Sequence, residues 1–315
     1  MLQLLKTMIF IAGATGFVGR HLIRSLSSGK YKVRCLVRSD KEAGLCTSPG
    51  FETTKGDITD SESLKGKLEG VGIVVHLVGI IKEQGEGTFE KIHIEGTKNL
   101  VDEAKFSDVE HFFFQSALGA DLRSPFKYLR TKAEAEEIVK GSGLPYTIFR
   151  PSLIIGPGDG FTENIKELLR LGPVVPVPGD GKARFQPIFI DDWVRCFLKI
   201  IDSRNFKNRV FEFGGPEHLS YNEILKIIMK EMEIKNPIVH IPPAITKAGL
   251  PFIQVFRSLG RTVGMKMPDV SPEQIDLLQI DNITDMDSVE HLFGFRPVGF
   301  EETIRKTLRN QPDKT

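Results

Sequence analysis

The chain carries almost no net charge: 42 Lys and Arg against 41 Asp and Glu leave +1 over 315 residues. So even a balance excludes bulk attraction to nucleic acid or to an anionic membrane. Cysteine is scarce. Cys35, Cys46 and Cys196 stand at no metal-ligand spacing and build no disulfide framework, which fits a reducing compartment and no metal site. No apolar run approaches the roughly 20 residues a membrane-spanning helix needs. Met1–Thr7 is too short for a signal peptide, and Met8 is the expected natural start. There is no internal repeat and no low-complexity tract. The expected location is the cytoplasm, or a site peripheral to a membrane. What is present, 40% hydrophobic and 26% charged residues, suffices for a sizeable core. One large domain with an appended smaller lobe is the natural reading.

The chain is organised around Met8–Leu26, MIFIAGATGFVGRHLIRSL. Met8–Ala12 is a short apolar run of strand formers. Gly13, Gly16 and Gly19 follow at three-residue spacing, and Phe17, Val18, His21, Leu22 and Leu26 then recur at helical spacing. Strand, glycine turn and helix in that order open a dinucleotide-binding βαβ unit. Gly13 allows a sharp turn off the strand, Gly16 lets backbone approach a pyrophosphate, and Gly19 lets the helix pack closely on the sheet. Thr15, Phe17 and Val18 complete the turn and the helix N-terminus, whose unbonded N–H groups suit phosphates.

Lys32–Val37 reads as a second strand, and Arg38 stands at its end, where an acidic residue would bond a ribose 2′-hydroxyl. A guanidinium there suits a 2′-phosphate. NADP(H) is therefore the preferred cofactor. NAD(H) stays open, because Asp40 is near enough to serve a ribose. Phe51–Lys55 is a third strand, leading into Gly56-Asp57-Ile58-Thr59-Asp60. Ile73–Val78 is a near-continuous apolar run that suits a central parallel strand, and Gly79 ends it. Thr88–Lys105 reads as a helix. His111–Gln115 is a fifth strand with Ser116 at its end, on the side where parallel sheets bind ligands. Tyr128 and Lys132 form a Tyr-x-x-x-Lys pair on one face of a helix over Tyr128–Lys140. A tyrosine pKa near 10 is too high for proton exchange at neutral pH. A neighbouring ammonium favours the phenolate and lowers that pKa. Ser116 would hydrogen-bond a substrate oxygen while Tyr128 exchanges the proton. Tyr146–Phe149 is the sixth strand.

AGATGFVGRHL, the Ser–Tyr–Lys set and Arg150-Pro151-Ser152-Leu153-Ile154-Ile155-Gly156-Pro157 together resemble the short-chain dehydrogenase/reductase superfamily in its extended and atypical branches, also grouped as the NAD-dependent epimerase/dehydratase family. The resemblance runs from Met8 to about Leu308. QSALGADLRSPFKYLRTKAEAE and TIFRPSLIIGPGD bring it near the atypical members related to the dehydrogenase-like accessory subunit of respiratory complex I. It implies a Rossmann-type doubly wound parallel α/β sheet with a smaller C-terminal α/β lobe. The expected division is 1–155, with parts of 183–215 returning to it, and 156–315. It also implies that Asp57 and Ile58 border the adenine and that Leu77, Val78 and Gly79 line the cofactor. Lys132 would hold the nicotinamide ribose, and Pro151 and Leu153 would lie near the nicotinamide amide. His93-Ile94-Glu95-Gly96-Thr97-Lys98-Asn99-Leu100 is similar to the branch's Asn-x-x-Gly-Thr-x-Asn-Leu, with His93 where an Asn helps order the proton relay. His76 reads as a structural strand-end residue, and Arg150 as the partner of a carboxylate.

Beyond Gly160 the expected elements are a helix over Thr162–Leu171, a strand and turn through Val174–Gly181, a helix N-capped by Asp191, and a Ser220–Glu223 capping box. Further helices are expected over Ser271–Leu278 and Phe300–Leu308, with frayed residues at Gln311–Thr315. Pro242–Gly260 is apolar with cationic Lys247 and Arg257. Packing against the main domain, covering a substrate pocket, and meeting a partner or membrane surface all fit it. Three functions stay open. The first is an NAD(P)-dependent oxidoreductase acting on a carbonyl or alcohol, with lipophilic and quinone-like compounds among the candidates. The second is a non-catalytic NADP(H)-binding subunit that assembles or stabilises a respiratory complex. The third is a sugar-nucleotide epimerase or dehydratase. By resemblance, such epimerases have a longer Ser-to-Tyr gap than the twelve positions here.

Overall fold

The computed structural model describes residues 7–27, 31–203, 207–250 and 268–309. The chain divides into two compact units, Met1–Pro151 with Val194–Glu212, and Ser152–Trp193 with Phe213–Thr315.

The first unit is built on strands β1 (Met8–Ala12), β2 (Lys32–Val37), β3 (Phe51–Lys55), β4 (Val71–His76), β5 (His111–Gln115) and β6 (Tyr146–Pro151). They form a seven-stranded sheet in the order β3-β2-β1-β4-β5-β6, with Arg209–Phe213 beyond β6. Neighbours from β3 to β6 pair in parallel, with Ile9 opposite both Val33 and Ile73, and Phe113 opposite Thr147. The expected doubly wound parallel α/β sheet is therefore present. The strand order reverses at β1 and β4, and ligands of such sheets bind beyond the carboxyl ends of the strands at that reversal.

β5 shows why its residues form this layer. Phe112 and Phe114 turn to one face and join Phe10, Val74, Leu100, Ala135 and Val139 in a buried cluster. Phe113 turns to the other, where its ring lies 4.7 Å from Phe149 and 4.9 Å from Phe197. Helices thus cover both faces, and the strand can be apolar throughout. β4 ends earlier than the apolar run implies. Its ladder stops at His76, although the Leu77 N–H still donates to the Ala12 carbonyl (2.9 Å). The helix expected over Thr88–Lys105 is a π-helical turn, Glu90–Glu95, continuing as an α-helix over Gly96–Phe106.

In the second unit three short strand pairs join Ile154–Ile155 to Ile188–Phe189, Val175–Pro178 to Ile238–Ile241, and Arg184–Phe185 to Leu219–Ser220. Ile165, Leu169, Val175, Val177, Ile224, Ile228, Phe300 and Ile304 fill its core. The Ser220–Glu223 capping box is formed, and a second joins Ser271 to Gln274 ahead of the Pro272–Leu277 helix. Two expected starts move. The helix expected at Thr162 begins at Gly160, because Asp159 caps it by accepting from the Thr162 N–H (2.6 Å). Asp191 lies inside the first turn of the Ile190–Ser203 helix instead of capping it, and its neighbour Asp192 accepts from the Val298 N–H (2.7 Å). Of the Pro242–Gly260 stretch, residues 251–260 lie outside the described residues, as do Gln311–Thr315 and most of Met1–Thr7. Among the described residues no helix is long and apolar enough to cross a membrane.

Candidate functional site

Gly13 turns the chain off β1 at a φ of +93°, a conformation glycine alone adopts freely. A Cβ on Gly13 would come within 3.0 Å of the Leu77 carbonyl carbon and the Val78 nitrogen, so the end of β4 packs directly on the turn. A Cβ on Gly19 would run into the Gly13 carbonyl and the Ala14 backbone, which fixes how closely helix α1 (Phe17–Leu26) seats on the sheet. Gly16 is exposed and N-caps α1 without a side-chain bond, leaving first-turn N–H groups available. Thr15, Phe17 and Val18 surround that turn, with the Phe17 ring 5.4 Å from His21. This is a cradle shaped for a pyrophosphate.

At the end of β2 the Arg38 side chain is 70% exposed and pairs with Glu42 (3.1 Å). Asp40, open at the sequence level as a ribose ligand, holds Lys55 instead (2.7 Å). The Asp57 carboxylate accepts from the Thr59 N–H and hydroxyl, both at 2.9 Å. The buried Ile58 lies against Gly96, and its carbonyl accepts from Asn99 (2.9 Å). The two segments Gly-Asp-hydrophobe and Gly-Thr-x-Asn are thus adjacent in space.

Past β4 and β5 the chemistry-bearing side chains converge. A Cβ on Gly79 would stand 3.6 Å from His93 Nε2 and 3.8 Å from Lys132 Nζ. Lys132 is 4% exposed, donates to the Gln115 carbonyl (2.5 Å), and lies 4.4 Å from the centre of the Phe114 ring. Ser116 follows Gln115. Its N–H donates to the Phe149 carbonyl (2.7 Å), and its buried hydroxyl has no hydrogen-bond partner among the described residues. The Tyr128 ring sits 5.8 Å from His93 and 5.9 Å from Phe89. Pro151 reaches the same strand end through the Leu118 N–H, which donates to its carbonyl (3.0 Å). Leu153 belongs to the second unit, where it packs on that unit's core and its carbonyl accepts from the Ile188 N–H (2.9 Å).

Burial dominates the electrostatics. It brings the Lys132 pKa down to about 7, against the opposing pull of Glu136. The sequence argument expected the ammonium to lower the tyrosine. Instead, burial pushes Tyr128 up to about 12, because desolvation disfavours the charged phenolate. His76 and His93 are driven down to about 3 and about 2, by burial first and then by Lys132. Both are neutral rings. His76 Nε2 meets the Thr97 hydroxyl at 3.0 Å, as a structural residue does. His93 Nε2 faces both the N–H and the carbonyl of Ile80 (each 3.1 Å), and its Nδ1 faces the Thr131 hydroxyl (2.9 Å).

Sequence reasoning did not find Glu136, fully buried one turn beyond Lys132. It accepts from Arg150 at 2.7 and 2.6 Å, and Arg150 also reaches Glu212 (2.7 Å). The i, i+4 spacing of Lys132 and Glu136 was the available signal. Thr131 and Ile80, which hold His93, carried none.

The site residues present fit a dinucleotide: the turn would be filled by any Cβ, and Ser116 keeps an unpartnered buried hydroxyl beside the lysine. Among the described residues no group of His, Cys, Asp and Glu could hold a metal ion.

Comparison with known proteins agrees with this geometry. Residues 13–164 match the NAD(P)H-binding family. A ceramide reductase of Caulobacter vibrioides is 31% identical over 258 residues, covering 82% of this chain and 80% of the reductase. A mitochondrial NADH dehydrogenase [ubiquinone] 1 alpha subcomplex subunit 9 of Arabidopsis thaliana is 26% identical, over 94% of this chain and 77% of that protein. Among solved structures, a UDP-glucose 4-epimerase of Thermotoga maritima superposes with a TM-score of 0.69 at 19% identity, covering 96% of this chain and 98% of the epimerase. That likeness establishes the fold.

Proposed function

Because the chain belongs to the atypical short-chain dehydrogenase/reductase family, with an NAD(P)H-binding domain, we propose that it is an NADP(H)-dependent oxidoreductase acting on a carbonyl or alcohol of lipophilic character. The observation that supports this best is the buried Lys132, held at the end of β5 beside Gly79 and Ser116, with its pKa near neutrality. Burying an amine is costly, and such perturbed groups gather where chemistry needs them. The glycine turn and the α1 N-terminus bind the pyrophosphate, Arg38 the 2′-phosphate, and Asp57 and Ile58 border the base. Leu77, Val78, Gly79 and Pro151 shape the nicotinamide side. When bound, the nicotinamide supplies or accepts a hydride. The Ser116 hydroxyl donates to the substrate oxygen, and Tyr128 gives that oxygen its proton in reduction or takes it in oxidation. Lys132 holds the ribose and lends its charge to the phenolate once Tyr128 has given up its proton. The ceramide reductase relative supports both the reductive direction and a lipophilic substrate.

The test pairs a binding assay with a turnover assay. Wild-type protein should oxidise NADPH in the presence of long-chain ketones, quinones or sphingoid ketones. Tyr128→Phe should lose that turnover and keep its NADPH affinity. Absence of turnover by wild type with every carbonyl class tried overturns the enzymatic reading.

Two observations favour a second reading, a non-catalytic nucleotide-binding subunit peripheral to a membrane complex. His93 replaces the relay Asn with both ring nitrogens engaged, and Tyr128 is left unactivated. The similarity to the mitochondrial NADH dehydrogenase subunit supports the same reading. In that case NADPH binds tightly and is not consumed.

A further inference from the structure

The proposed preference for NADP(H) names Arg38 alone as the phosphate ligand, yet the strand register brings a second cation to the same edge. Val37, the last residue of β2, lies opposite Lys55, the last residue of β3, and the Gly56 N–H donates to the Val37 carbonyl (3.0 Å). Arg38 and Lys55 therefore both stand at the carboxyl end of this strand pair, where the ribose of a dinucleotide on this turn would arrive. Each is masked by an acid of the short Asp40–Ala43 helix that follows. Glu42 accepts from the Arg38 N–H (2.7 Å) and guanidinium (3.1 Å). Asp40 clasps the Lys55 ammonium through both carboxylate oxygens, at 2.7 and 2.9 Å.

We infer that Lys55 is a second ligand of the cofactor's 2′-phosphate, and that Asp40 and Glu42 are the counter-anions this phosphate displaces. The inference rests on the NADP(H) reading above. A 2′-phosphate carries close to two negative charges near neutral pH, against one on each carboxylate, so it outcompetes either acid for its cation. A 2′-hydroxyl carries none and leaves both pairs intact. The exchange at Lys55 is feasible because its pair is weak: Lys55 is 62% and Asp40 86% exposed, and water screens them strongly. The acids thus lower the affinity for NADPH, and the discrimination between the two cofactors lies in four side chains.

The experiment titrates NADPH and NADH by fluorescence into the wild-type chain, Lys55→Gln, Asp40→Asn and Arg38→Ala. NADH binding serves in each case as the control for an intact fold. Wild type should bind NADPH more tightly than NADH. Lys55→Gln should weaken NADPH about tenfold, the loss of one charge-assisted contact, and leave NADH unchanged. Asp40→Asn should tighten NADPH several-fold, again without change in NADH; a gain of affinity is not produced by misfolding. If Arg38→Ala collapses the preference while Lys55→Gln and Asp40→Asn leave the NADPH-to-NADH ratio at its wild-type value, the role of Lys55 is refuted and the NADP(H) reading stands. If wild type binds NADPH no better than NADH, that reading fails and Lys55 falls with it.

Discussion

Replacing Lys132 by Met should stabilise the nucleotide-free protein while damaging cofactor binding. An ordinary lysine titrates near 10.5, and burial holds Lys132 at about 7. The unfolded chain therefore binds a proton that the folded chain holds only half of the time at pH 7. Linkage converts this into a folding cost of about 4 kcal/mol at that pH. The sign follows from the depressed pKa: stability is greatest above pH 10.5 and falls as pH drops toward 7. Methionine keeps the apolar stem and removes the charge. Against the gain stand the hydrogen bond to the Gln115 carbonyl and the attraction to Glu136, together about 1–2 kcal/mol. The net expectation is a variant about 2–3 kcal/mol more stable at pH 7. That corresponds to roughly 5–10 °C in Tm for a unit of this size. Urea unfolding without nucleotide, at pH 7 and pH 9.5, measures it. The advantage of Lys132→Met should shrink by about 3 kcal/mol over that interval, since at pH 9.5 the folding cost of the lysine is only about 1.4 kcal/mol. Parallel stability–pH curves for the two proteins would refute the argument, because they would mean that the amine is no harder to charge in the folded chain.

Acid should act on the same unit through its histidines. His76, His93 and His111 lie at about 3, 2 and 4 in the folded chain, so the unfolded chain gains protons first and stability is lost as pH falls through 6.5. The loss between pH 7 and pH 5 should be about 2 kcal/mol for each ring, and His111→Phe should flatten a urea-derived stability profile by that share. Glu136→Gln should destabilise by about 3–5 kcal/mol, because it strips Arg150 of its buried partner; an unchanged midpoint contradicts the network. Gly19→Ala should abolish binding of NADPH and NADH alike, since its Cβ would strike the Gly13 carbonyl and unseat α1. Phe113→Ala should cost about 3–5 kcal/mol, read in the same denaturation, through the ring contacts with Phe149 and Phe197.

The parallel sheet was legible because its signals are local. Glycines at three-residue spacing, apolar runs of strand length and a Tyr-x-x-x-Lys pair each sit within a few residues of one another, and local patterns survive folding. What escaped depends on residues far apart in sequence. Arg150 was readable as some carboxylate's partner, but only folding brings it to both Glu136 and Glu212. The strand end at His76 and the π-helical turn at Glu90–Glu95 are set by what packs on them, and an apolar run has no mark for either. The division between the two compact units falls inside the Arg150–Pro157 motif, between Pro151 and Ser152, and a continuous motif has no mark for such a boundary.

The reversed expectation at Tyr128 is the most informative. Reasoning from the pair alone lets Lys132 lower the tyrosine, because it counts the charge and omits the solvent. Folding removes both groups from water, and each shifts toward its neutral form: the lysine down to about 7, the tyrosine up to about 12. A lysine charged only half of the time at pH 7 helps a phenolate less than a full ammonium, so the pair works best when something restores the ammonium. Phosphate groups are the natural source of that restoring field, because negative charge nearby favours the protonated lysine. The nucleotide would then charge Lys132, and the charged lysine would bring Tyr128 down toward working range. On this argument the pH dependence of nucleotide binding and the acidity of the tyrosine are one coupled quantity. Proton uptake should therefore accompany NADPH binding between pH 7 and pH 9, and should vanish in Lys132→Met.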